Sequence, residues 1–203
     1  MSRIRIKICG ITNERDAFAA VDAGADAVGF MFAGGPRAVS PDRARRISLR
    51  LPAFVHRVGV YVDAPAADIN LIGRACGLSW AQLHGRETRA LATLLHFPWV
   101  KVFRVADGRV IEKIRRFAAP LFHLDTLSKN AAGGTGKTFD WEIARRAGRL
   151  GRVILAGGLS PANVAAAVAA ARPFAVDVSS GVESSPGKKD PRLIRRFIEE
   201  VHR

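Results

Sequence analysis

Short apolar segments and helix-like segments alternate from one end of this 203-residue chain to the other. Ile4, Ile6 and Ile8 alternate with Arg3, Arg5 and Lys7, the period-two pattern of a strand. Asn13 then caps a helix with Glu14 and Asp16 in its first turn, where the dipole favours anions, and Gly24 ends it. The stretch 27–32 is a continuous apolar run, as expected of a strand covered on both faces. Ser40-Pro41-Asp42 opens the next helix with a cap, a proline at its first position and an acid in its first turn. Further strands are predicted over 54–62, 78–83, 99–103, 120–124, 153–156 and 174–178. Helices are predicted over 64–76, 86–95, within 108–117, over 139–147, from 160 to before Pro173, and from Asp190 onward. Eight strand-then-helix units of about 25 residues imply an α/β chain with a parallel sheet and right-handed crossovers. Their number, with no composition break, predicts one domain over 1–203, closed as a (β/α)8 barrel. An open doubly wound sheet is the alternative arrangement of the same alternation.

In a barrel, the loops after the strand C-termini share one face and carry the chemistry. Here that face collects Cys9, Arg37, His84-Gly85, Asp125, Gly133-Gly134-Thr135-Gly136, Gly157-Gly158 and Ser179-Ser180-Gly181. Taken singly, each glycine pair is a tight turn, and Cys9 is as compatible with an inert core thiol as with a reactive one. Clusters at three successive strand ends point instead to backbone amides gathered for a phosphate. Gly136-Lys137-Thr138 invites a nucleotide-loop reading, but the position five before Gly136 is Ala131, so the loop motif is incomplete.

The charge balance is the unusual part of the composition: 32 Lys and Arg against 18 Asp and Glu leave +14. The basic residues fall in short groups on predicted helices (Arg43, Arg45 and Arg46; Arg115 and Arg116; Arg145, Arg146 and Arg149; Arg195 and Arg196) rather than in one stripe. Three Trp and one Tyr offer little for base stacking, so a solvated ring of basic helices is expected and nucleic acid is not. Two cysteines are too few for a disulfide framework and fit a cytoplasmic protein; Cys76, beside Gly77, reads as structural. No apolar run is long enough to span a bilayer, and the N-terminus lacks a signal peptide's apolar region. No His, Cys and Asp spacing suggests a metal.

Several segments resemble one family in order and nearly end to end. They are Lys7-Ile8-Cys9-Gly10-Ile11-Thr12, Gln82-Leu83-His84-Gly85, Gly133-Gly134-Thr135-Gly136 with Phe139-Asp140-Trp141, Ala156-Gly157-Gly158-Leu159 with Asn163, and Val176-Asp177-Val178-Ser179-Ser180-Gly181-Val182-Glu183. The family is phosphoribosylanthranilate isomerase of tryptophan biosynthesis. The resemblance implies a (β/α)8 enzyme, an aldose–ketose isomerase needing no metal or cofactor, that carries out an Amadori rearrangement of a phosphorylated small molecule. It also implies Cys9 as general base, Asp125 as general acid and Arg37 on the anthranilate carboxylate. Gly134, Gly157, Gly158, Asp177, Ser179 and Ser180 complete the expected substrate site. Monomer and homodimer are both compatible with the sequence.

That chemistry needs a thiolate and a protonated carboxyl, yet free Cys and Asp titrate near ~8.5 and ~3.9. Burial is the expected source of a raised Asp125, and a nearby cation the expected source of a lowered Cys9. Lys7 shares strand parity with Cys9, so it is expected inside the barrel, paired with Asp177 of the adjacent last strand. His123 has the parity of Asp125 and reads as a hydrogen-bonded core residue; His84 reads as a residue ordering its loop.

Overall fold

The computed structural model describes residues 3–127 and 138–203. Eight parallel strands close on themselves in sequence order. They are β1 (Arg5–Cys9), β2 (Ala27–Met31), β3 (His56–Tyr61), β4 (Trp80–Leu83), β5 (Trp99–Val105), β6 (Leu121–Thr126), β7 (Arg152–Leu155) and β8 (Ala175–Val178). The helices are α1 (Glu14–Asp22), α2 (Pro41–Ser48), α3 (Ala66–Ala75), α4 (Arg89–Ala92), α5 (Val110–Phe117), α6 (Trp141–Ala147), α7 (Val164–Ala171) and α8 (Pro191–His202). The closed barrel holds over the open sheet because β8 pairs with β1, Lys7 standing opposite Asp177.

Strand alternation divides the core in two. Ile6, Ile8, Val28, Phe30, Phe122, Leu124, Leu155, Val176 and Val178 face outward and pack with Ala17, Ala20, Ile47, Ile114, Ala144, Val164, Ile194 and Phe197 of the helices. The opposite parity lines the barrel, and there the buried residues include Lys7, Cys9, Gln82, His123 and Asp177 among Val58, Val60, Val100 and Val102. A polar layer inside a hydrophobic barrel is costly unless each member is paired.

The helix caps largely follow the sequence. Asn13 accepts from Asp16 N, Ser40 from Arg43 N and Asp190 from Arg192 N. Cys76 caps the end of α3, fully buried, with Sγ 3.3 Å from Pro41 O. Two predicted helices are shorter than expected. Thr88 caps α4, because Arg86 and Glu87 serve the preceding loop, and α7 starts at Val164, because Asn163 braces the loop before it. After β8 comes a 3₁₀ turn at Ser180–Val182 and an unanticipated hairpin of β9 (Glu183–Ser185) and β10 (Lys188–Lys189). Among the described residues no helix is long and apolar enough to cross a membrane.

Candidate active site

Inside the barrel, Lys7 Nζ donates to Asp177 Oδ2 at 2.7 Å, with both side chains nearly sealed from solvent. This is the pair that strand parity predicts. His123 of β6 brings Nε2 to 2.8 Å from the same oxygen, which fits the expected hydrogen-bonded core histidine. Asp177 Oδ1 and His123 Nδ1 stay buried without a partner among the described residues. Burial alone would raise the Asp177 carboxyl, but the charge of Lys7 and the contact with His123 bring it down to about 2. Lys7 in turn is held above the ordinary lysine range: burial opposes this, and Asp177 and then Cys9 outweigh it.

Cys9 lies two residues beyond Lys7 on the same face and is 6% exposed. In register it stands opposite Gly29, where a Cβ would come within 2.7 Å of Sγ and 3.1 Å of Lys7 Cε. The missing side chain at Gly29 is the space the thiol occupies. Asp125 lies within β6 rather than in the loop after it, its side chain 27% exposed at the mouth. His84, the first residue after β4, faces it with Nε2 3.3 Å from Oδ2, while Nδ1 lies 3.4 Å from Gln82 Nε2.

The protonation states run opposite to the sequence expectation at both positions. Burial pushes the Cys9 thiol up more strongly than Lys7 pulls it down, and the nearby Asp177 charge adds to the rise. Burial also tends to raise Asp125, but the facing His84 and the charge of His123 leave it below the ordinary carboxyl value. The sequence reading gave Cys9 a cation without the cost of burying a thiolate, and gave Asp125 burial without the imidazole in front of it.

Arg37 sits on the β2–α2 loop, its stem lying over Gly10. A Cβ on Gly10 would come 2.8 Å from Arg37 Cδ and 3.0 Å from Ser179 Oγ, and Gly10 has a left-handed φ of +76°. Glu183 holds the guanidinium by two bonds, Nε to Oε1 at 2.9 Å and Nη2 to Oε2 at 2.7 Å. Lys189 Nζ donates to the same carboxylate at 2.8 Å and to Ser179 O at 3.0 Å. The sequence reading assigned neither residue a role; the turn dipeptide Pro186-Gly187 was the available signal of the hairpin that carries them.

The glycine loops after β7 and β8 lie against each other. Gly157 and Gly158 have φ of +85° and +71°, and Gly157 packs on Thr126 with no room for a Cβ. Asn163 braces this turn, accepting from Ser160 N at 2.8 Å and donating to Gly158 O at 2.9 Å. Gly181 packs directly on the Leu159 carbonyl, which joins the loop carrying Ser179 and Ser180 to the loop that follows Gly157 and Gly158. The N–H groups of Gly157 and Gly158 have no backbone carbonyl partner among the described residues, as an anion nest requires. Gly134 and the rest of 133–136 lie outside the described residues.

A family model described as N-(5'-phosphoribosyl)anthranilate (PRA) isomerase matches residues 6–200. The N-(5'-phosphoribosyl)anthranilate isomerase of Pelobacter propionicus is 47% identical over 196 residues, covering 96% of this chain and 94% of its own. The crystal structure of the Thermotoga maritima phosphoribosyl anthranilate isomerase superposes with a TM-score of 0.93 at 43% identity, covering 98% of each chain. A second T. maritima structure, of monomers generated from the dimeric enzyme, gives 0.89 at 41% identity with the same coverage. A phosphoribosyl anthranilate isomerase in complex with reduced 1-(o-carboxyphenylamino)-1-deoxyribulose 5-phosphate gives 0.90 at 40% identity, again over 98% of each.

Proposed function

Since this chain belongs to the N-(5'-phosphoribosyl)anthranilate isomerase family, we propose that its reaction runs between Cys9 as general base and Asp125 as general acid. The reaction itself is the family's: N-(5-phosphoribosyl)anthranilate is isomerised to 1-(2-carboxyphenylamino)-1-deoxyribulose 5-phosphate in tryptophan biosynthesis. Asp125 protonates the ring oxygen, and the bond from that oxygen to C1 breaks to give an iminium. The Cys9 thiolate then takes the C2 proton and an enolamine forms. In ketonisation C1 gains a proton and the C2 hydroxyl loses one, so Cys9 and Asp125 between them recover their starting count.

The observation that carries this reading is geometric: Cys9 ends β1 and Asp125 lies near the end of β6, so both stand at one mouth of the closed barrel. Their proton count is consistent with these roles. With Cys9 held as thiol and Asp125 as carboxylate, the free site contains one proton between the two groups. A thiolate facing a carboxylic acid contains the same one. The working state therefore differs from the resting state only in where a single proton lies. Substrate covering the half-open Asp125 carboxyl disfavours its charge and moves the proton that way. In this reading Arg37 meets the anthranilate carboxylate, the amides at Gly157, Gly158, Ser179 and Ser180 hold the phosphate, and Gly134 is assigned to the same substrate. Asp177 is assigned to the same site, where its Oδ1 lies buried without a partner among the described residues.

Loss of the substrate's anthranilate fluorescence measures the reaction. Cys9→Ala is expected to lower kcat at least about a thousandfold and Asp125→Asn about a hundredfold or more, the range removed with a general acid or base. Activity persisting in both variants would overturn the assignment of the pair.

The oligomer is proposed as a homodimer, as the T. maritima relative is described. Support comes from Phe54 on the α2–β3 connection, which is 99% exposed, with Leu49 of the same connection 60% exposed.

A further inference from the structure

The β9–β10 hairpin is fastened over the ends of β1 and β2. Lys189 N donates to Asp16 Oδ2 at 2.7 Å, and Thr12 Oγ1 donates to Gly187 O at 2.6 Å. Gly187 lies so close to Pro36 that a Cβ would come within 2.6 Å of its carbonyl oxygen. From this seat Glu183 reaches the Arg37 guanidinium and Lys189 reaches Glu183, with side chains 4% and 0% exposed. A carboxylate facing Arg37 alone would cancel the charge a substrate anion needs. Two cations sharing one carboxylate leave the cluster at +1. The bidentate contact also occupies only the Nε and Nη2 edge, and Nη1 makes no bond to a described residue.

We propose that Glu183 and Lys189 are positioning residues for substrate binding: Glu183 fixes the Arg37 fork, and Lys189 balances Glu183 so that the fork meets the substrate's aromatic carboxylate as a net cation. The inference rests on the assignment of Arg37 to that carboxylate. A planar fork recognises a carboxylate by two parallel bonds, so its orientation matters as much as its charge. Glu183 makes its contacts with Arg37 and Lys189 rather than with Cys9 or Asp125, so its loss falls on affinity and spares the proton transfers.

The test is steady-state kinetics on the full chain by the same fluorescence assay. Glu183→Ala is expected to raise KM about 10- to 100-fold, the scale of a charge-assisted bond, with kcat within about threefold. Glu183→Gln, which keeps an acceptor for the fork, is expected to recover part of the loss. Lys189→Met raises KM as well, and Lys189→Arg restores it. In the double variant Arg37→Ala with Glu183→Ala, KM is expected to match that of Arg37→Ala alone, since Glu183 acts through Arg37. Unchanged KM in Glu183→Ala, a loss confined to kcat, or multiplying effects in the double variant would each overturn the inference. Should Glu183→Ala fail to fold, Glu183→Gln and Lys189→Met carry the same comparison of KM with kcat. An unchanged KM in Arg37→Ala would instead overturn the reading of Arg37 on which it rests.

Discussion

Asp177 answers to two neighbours at once, Lys7 and His123, and its ionisation is a stability term as well as a feature of the site. Its folded value of about 2 lies below the ordinary 3.8, so the folded state binds its proton less readily than the unfolded chain does. For a depressed carboxyl the stabilisation is complete above about pH 4 and drains away as pH falls towards 2. The difference is worth about 2 kcal/mol. Urea unfolding followed from pH 6 to pH 2 is expected to show this loss, and Asp177→Asn is expected to flatten that part of the profile while lowering stability at neutral pH. An unchanged acid slope in the variant would mean that other carboxyls carry it. The Lys7–Asp177 pair was legible in the sequence, because period-two alternation assigns a face and barrel closure assigns the neighbour. The states of Cys9 and Asp125 were not, since each is a balance between burial and several nearby charges, and only distance decides it. Gly29 was unreadable for a similar reason: a glycine inside an apolar strand gives no hint that the opposite thiol occupies its place.

At the scale of elements, boundaries set by caps were legible, and those set by loop chemistry were not. The β4–α4 segment shows the difference. Its sequence reads as a helix from Arg86, yet Glu87 turns inward, fully buried, and accepts from Gly85 N at 2.9 Å, Asp63 N at 2.8 Å and Lys101 Nζ at 2.8 Å. Lys101 also donates to Leu83 O and Gly85 O. One carboxylate and one ammonium thus tie β5 to the loops after β3 and β4, and they seat the loop carrying His84. Removing one partner of a buried pair strands the other charge, so Lys101→Met is expected to destabilise the fold by about 3–5 kcal/mol. Replacing Glu87 with Gln in that variant should restore part of the loss, because the amide keeps an acceptor for the two backbone donors. Chemical denaturation of the three proteins checks the order, and a Lys101→Met loss below about 1 kcal/mol would show the tie to be ornamental. The β9–β10 hairpin belongs with this loop: its purpose lies in contacts with residues more than 140 positions away, which no local pattern encodes.

For the whole molecule, the excess of positive charge sits on helix surfaces. Arg43, Arg45 and Arg46 of α2, Arg115 and Arg116 of α5, Arg145 and Arg146 of α6, and Arg195 and Arg196 of α8 are all exposed, as their grouping along the chain implied. A partner surface has to be sought where large apolar side chains are exposed, and the α2–β3 connection with Leu49 and Phe54 is such a place. Arg57 holds that connection in shape, donating through Nε to Ser48 O at 2.9 Å and through Nη2 to Leu51 O at 2.8 Å. Phe54 is therefore presented from a braced loop, and a rigid aromatic loses little freedom when it is buried by a partner. The loop also lies at the N-terminal ends of the strands, across the barrel from Cys9 and Asp125, so assembly there leaves the mouth open. Sedimentation equilibrium at micromolar concentration is expected to give a dimer. Phe54→Asp should shift it to monomer, with kcat and KM within about twofold and a lower melting temperature, since dimer formation stabilises the folded chain by mass action. A wild-type chain that sediments as a monomer, or a Phe54→Asp variant that stays dimeric, would remove this face from consideration.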